Sequence, residues 1–124
     1  MEDDGKLKIG DSKDLPIFVK WFDFLKWLID ATDKFPKKVR FTLVDRIIRI
    51  ALDVLEDLVQ ARYSRQKVRY LKRANLSLEK IRMLLRIAYE FRVMSFKTHE
   101  HAIRMLAEIG KMLGGWIKQQ EKEK

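Results

Sequence analysis

Cysteine is missing from this chain of 124 residues, which excludes disulfides, thiolate metal sites and a cysteine nucleophile. Only two prolines and five glycines interrupt it, so long loops and a Gly-rich phosphate cradle are excluded as well. No uninterrupted apolar run reaches the ~18 residues of a membrane-spanning helix. No β-rich run flanked by turn residues competes with a helical reading. Residues 1–13 are polar and acidic, the reverse of a secretory signal, and are expected to form a flexible leader. A reducing, cytoplasmic setting is the expectation that follows.

Apolar residues make up 47% of the chain, enough for one domain with a single core. The net charge of +9 is unevenly placed. Residues 1–33 hold five Lys against eight acids, a net −3; residues 93–124 hold six Lys and Arg against four acids, a net +2. The middle, 34–92, holds sixteen Lys and Arg against six acids, a net +10. Within it Arg62, Arg65, Lys67, Arg69, Lys72 and Arg73 follow one another with no acid between them. Such a block suits phosphate, which releases counterions from nucleic acid on binding; a solvated bundle end is the alternative.

Apolar spacing is helical from end to end. A helix is expected from Asp14-Leu15-Pro16 to about Asp33, ended by Phe35-Pro36 because proline drives its predecessor out of the α region. Further helices are expected from about Lys38 to Tyr63, from Gln66 to Arg92, and from a cap at Ser95 to near Gln120, with residues 121–124 frayed. Short connections force sequence neighbours antiparallel. The domain over 14–120 is therefore predicted to be all-α, an up-down-up-down four-helix bundle.

Three of these helices carry more apolar surface than a core needs. Turning each residue by 100° puts Leu71, Ala74, Leu78, Ile81, Leu85 and Ala88 on one stripe of the third helix, with Val68, Leu76, Met83 and Ile87 opposite. In the fourth, Phe96, His99, Ile103, Leu106, Leu113 and Ile117 form the expected core stripe, with Met105, Met112 and Trp116 on another flank. In the first, Trp27 falls opposite Phe18, Phe22, Leu25 and Ile29. Either the stripes are wide, or the second set is covered by another subunit; repetition across three helices favours a homo-oligomer.

Catalytic chemistry finds no support. His99 and His101 are two apart and point in different directions on a helix, unlike the zinc-protease spacing of four. Asp53, Glu56 and Asp57 read as solubility charges on the second helix, and Gly114-Gly115 as relief for packing or a bend. No metal, cofactor or catalytic residue is assigned. Arg82 and Arg86, four apart, share a face and could clamp an acidic group or phosphates; ion pairs with Glu79 or Glu90 are the competing use.

Several segments resemble the accessory variability determinant (Avd) proteins of diversity-generating retroelements. They are Phe35-Pro36-Lys37-Lys38 with Arg40-Phe41-Thr42, Ala61-Arg62-Tyr63, Ala74-Asn75-Leu76, the block from Leu78 to Arg86, and Ile109 to Trp116. The resemblance spans about 15–120 and extends to the four-helix proteins of intervening sequences in bacterial 23S ribosomal RNA genes. It implies a non-enzymatic four-helix bundle assembled as a homopentameric ring with a basic surface. Its implied partners are a reverse transcriptase and structured template RNA, or DNA, in mutagenic retrohoming. It also implies that Arg82 and Arg86 contribute to partner binding. An rRNA-linked bundle with no reverse transcriptase partner, and a structural module that meets an acidic protein, are the alternatives. A ring requires each subunit to bury two different surfaces, which fits apolar stripes on several helices.

Overall fold

The structure is a computed structural model that describes residues 15–123. The expected leader and the Asp14 helix start lie outside the described residues. Four long helices account for most of the chain: α1 (Leu15–Asp33), α2 (Asp45–Tyr63), α3 (Lys67–Glu90) and α4 (Phe96–Lys122). Each packs against its sequence neighbour, and α4 also packs on α1, which closes the bundle around one core. There is no strand among the described residues.

The core stripe of α3 lies where the 100° rotation places it: Leu71, Ala74, Leu78, Ile81, Leu85 and Ala88 are all fully buried. Half of the remaining positions of that helix are charged, with Arg82 and Arg86 along one border of the stripe. In α1 the expected stripe holds at Phe18 and Leu25, which are buried, but Phe22 and Ile29 are exposed, and the core side is completed by Ile17, Trp21, Phe24 and Leu28. Trp27 is not outward; it is half-buried, stacked on Phe24 with ring centroids 5.9 Å apart and beside His101 of α4 at 5.0 Å. Trp21 directs its indole N–H into the core, where it donates to the Ala51 carbonyl of α2 at 3.2 Å. That bond satisfies the polar atom of the largest buried side chain and ties α1 to α2.

In α4 the deepest row is Ala102, Leu106, Ile109 and Leu113. Phe96 is exposed, and His99, Ile103 and Ile117 are half-buried at the border. Met105, Met112 and Trp116, expected on a second flank, are also half-buried and pack against the core. The stripe of α4 is wide, and its centre falls between the two rows read from the sequence. Ala102, at the centre, carries little hydrophobic weight, and apolar residues on both sides of Ile109 widen the stripe, so periodicity alone misplaces the centre.

The α1–α2 connection departs from regular helix. Pro36 is extended (φ −58°, ψ 149°), then Lys37–Val39 wind as a 3-10 turn and Arg40–Val44 as a π turn. Regular α-helix starts at Asp45, not near Lys38. Phe35 and Val39 are buried and close that end of the core. Tight and then wide winding lets both point inward while the chain changes direction. α3 ends in a Schellman arrangement: Val93 N–H bonds the Ala88 carbonyl and Arg92 N–H the Tyr89 carbonyl, each at 3.0 Å. Arg92 takes the left-handed conformation (φ 62°) that this cap needs and glycine usually supplies. Ser95 then caps α4, its hydroxyl accepting from Thr98 N–H at 3.1 Å. The last helix continues through Lys122, beyond the expected fraying at 121.

Candidate partner-binding surface

The acid-free block from Arg62 to Arg73 spans the turn between α2 and α3, and the fold divides its cations into two groups. Lys67 donates from Nζ to the carbonyls of Ala61 (2.8 Å) and Arg62 (3.0 Å), so its charge sits on the last turn of α2, at the negative end of the helix dipole. Lys72 pairs with Glu121 of α4 at 3.3 Å. Arg73 reaches Asp57 of α2, placing both Nε and Nη2 at 3.2 Å from one carboxylate oxygen. The Asp57 side chain is only 7% exposed, so it is a buried partner of α3 and not a solubility charge. These three cations fasten helices together.

Arg65 and Arg69 remain turned to solvent, and neither forms an ion pair with another described residue. Arg69 donates to Gln66 Oε1 at 3.2 Å and lies over the Tyr70 ring, 5.6 Å from its centroid. Arg73 flanks the same ring at 5.4 Å, and half-buried Arg62 lies over Tyr63 at 5.4 Å. The aromatic rings thereby hold guanidinium groups in fixed positions without neutralising them. The start of α3 carries no acid in its first turn, and its N-cap Gln66 makes no side-chain capping bond. The positive end of that helix dipole therefore adds to the field of Arg65 and Arg69. A groove of about 570 Å³ runs here, lined by Arg65 to Arg69 with Gln120 of α4 and Glu123 just past its end.

Arg82 and Arg86 differ in what they touch. Arg82 is pulled across to α4, where Nη2 donates to the Leu106 carbonyl at 3.2 Å, while Nη1 pairs with Glu79. Gly110 provides the room: a Cβ there would stand 3.3 Å from Arg82 Nη2. Arg86 is exposed and pairs with Glu90 at 2.5 Å. Both intrahelical ion pairs are thus formed, and only Arg86 faces outward.

His99 stacks on Tyr89 at 5.1 Å, and its Nε2 is shielded with no hydrogen-bond partner among the described residues. Burial, and then the nearby Arg86 charge, lower its pKa below the ordinary 6.5. Among the described residues no three potential metal ligands gather. Nor is any helix among them long and apolar enough to cross a membrane.

The outward apolar residues of α3 fall into line: Leu76, Met83 and Ile87 are 56%, 66% and 42% exposed, while Val68 is half-buried in the groove. Sequence reasoning missed comparable positions elsewhere, namely Val19, Phe22 and Ile29 on α1 and Leu52 and Val59 on α2. The seven-residue spacing of Leu52 and Val59 was available as a signal. It was hidden because both flank a strongly apolar stripe.

A family model described as bAvd-like matches residues 17–120. The chain belongs to the bAvd-like family. The match to this Avd-type family runs from the first turn of α1 almost to the end of α4, so it covers the bundle and every candidate surface above. No curated protein matches the chain.

Proposed function

We propose that this Avd-type protein is a non-enzymatic accessory factor of a diversity-generating retroelement, which binds a reverse transcriptase and structured template RNA as a homo-oligomer. The observation that carries the reading is the family match over the whole bundle. The physical features support it. Arg65 and Arg69, beside an uncapped helix start, present positive charge to phosphate and form no ion pair with another described residue, although Glu123 also lines their groove. Contacts of this kind give affinity through the backbone and leave sequence unread, which suits recognition of RNA by shape. Leu76, Met83 and Ile87 give α3 an apolar line for a neighbouring subunit, and exposed positions on α1 and α2 give the second surface that a closed ring requires. A pentamer is the expected count.

Binding of the cognate reverse transcriptase and a structured RNA is the decisive measurement. Wild-type protein should retain the polymerase on co-purification and lose RNA affinity steeply between low and moderate salt. Arg65→Glu with Arg69→Glu should lower both the RNA affinity and its salt slope, with helicity intact. Salt-independent binding, or a monomer of 14.9 kDa at micromolar concentration by light scattering, would refute the corresponding half of the reading.

A further inference from the structure

The α1–α2 connection gathers a second, separate set of cations around one exposed aromatic ring. Residues 34–49 hold six Lys and Arg against a single acid, Asp45. That acid is taken by Arg49, whose Nη2 lies 2.7 Å from its carboxylate. Lys37, Lys38, Arg40 and Arg46 are exposed, and none forms an ion pair with another described residue. The π turn over Arg40–Val44 keeps Leu43 and Val44 against the core while Phe41 points outward, 86% exposed. Beside it lies a shallow recess of about 480 Å³, lined by Phe41, Thr42, Leu43, Arg46, Arg49 and Leu84 together with the Arg49-paired Asp45. This end of the bundle is remote from Arg65 and Arg69, which sit at the opposite ends of α2 and α3.

A phenylalanine this exposed stabilises nothing within the chain, and a second copy of this chain is a poor occupant. Bringing two such corners together would oppose like charges around an apolar contact, whereas the cores of subunit interfaces are depleted of charge. An aromatic face that shares its recess with Arg46 and follows Arg40 in the chain instead matches single-stranded nucleic acid, whose bases stack while phosphates meet the charges. Building on the RNA-binding reading above, we propose that this corner is a seat for an unpaired nucleotide. The base stacks on Phe41, and the flanking phosphates lie on Arg40 and Arg46. The α2–α3 surface would then hold structured RNA by its backbone, and this corner would select unpaired positions.

The test compares a labelled 12-nucleotide oligouridine with a 12-base-pair RNA duplex by fluorescence anisotropy, using the full-length chain. Phe41→Ala should weaken single-strand binding roughly 5- to 100-fold and change duplex binding less than about twofold, and Phe41→Trp should restore it. Its salt slope should match wild type, because no phosphate contact is lost, whereas Arg40→Gln with Arg46→Gln should lower the single-strand slope by about 1.4. Equal weakening of both probes, or of neither, would overturn the proposal. So would a smaller assembly of Phe41→Ala by light scattering, which would place Phe41 in a subunit contact. If wild type bound neither probe, the RNA-binding reading itself would fail; if it bound both and Phe41→Ala matched it, only the stacking seat would fail.

Discussion

Arg73 offers a sharp test of whether the basic block is a nucleic-acid surface throughout or is divided as described. Removing its side chain, as in Arg73→Ala, strips the partner from a carboxylate on Asp57 that is only 7% exposed. Hydrogen bonds that involve a charged group contribute about 1.5–3 kcal/mol net, and fully exposed ion pairs about 0–1. This pair lies between those limits. Asp57 is buried, but Arg73 is 56% exposed and both of its nitrogens contact the same oxygen, so the forked two-oxygen geometry is absent. A coupling of about 1–2 kcal/mol is expected, with a small further loss from the contact with Tyr70. For a chain of this size that lowers Tm by roughly 4–10 °C. A double-mutant cycle of Arg73→Ala and Asp57→Asn by urea unfolding measures the coupling directly. Protein concentration is held fixed, so that any self-association contributes equally to every variant. The reasoning is refuted if Arg73→Ala changes stability by less than about 0.5 kcal/mol and the cycle shows no coupling. Arg73 would then belong with Arg65 and Arg69 as a cation turned to solvent.

Arg82→Ala should cost about 1–2 kcal/mol in urea unfolding, because it removes the α3–α4 contact to the Leu106 carbonyl, whereas Arg86→Ala should stay within about 0.5; equal effects would contradict the assigned geometry. A Cβ at Gly114 or Gly115 meets nothing within 4 Å, so alanine at each should raise helix stability by about 1 kcal/mol in thermal unfolding; a fall with the assembly unchanged would be inconsistent with open space there. The lowered pKa of His99 means that the folded chain takes up this proton at lower pH than the unfolded chain. The associated stability is complete above about pH 6.5 and is lost as pH falls through the folded value. Arg86→Gln should raise the His99 pKa in an NMR titration, though not to the ordinary value, since burial remains the larger cause; no rise would remove Arg86 from the account.

By itself the sequence determined the helical class, the breaks at Phe35-Pro36 and Ser95, and the core stripe of α3, because charges mark one border of that stripe. The segments that resemble Avd proteins were also legible, since they are contiguous strings. Tertiary structure decided the rest. In α1 and α4 apolar residues extend well beyond one face, so only packing showed that Trp21 is central and that Trp27, Met105, Met112 and Trp116 lie at the edges of the bundle's own core. The π turn keeps Leu43 and Val44 against the core and turns Phe41 outward, an arrangement no local pattern reports. Most of all, a run of six cations looks uniform until the helices pair. Asp57 and Glu121 come from elsewhere in the chain to neutralise Arg73 and Lys72, leaving Arg65 and Arg69 outward. Charge in a sequence is a sum, whereas binding depends on which charges the fold leaves without an internal partner.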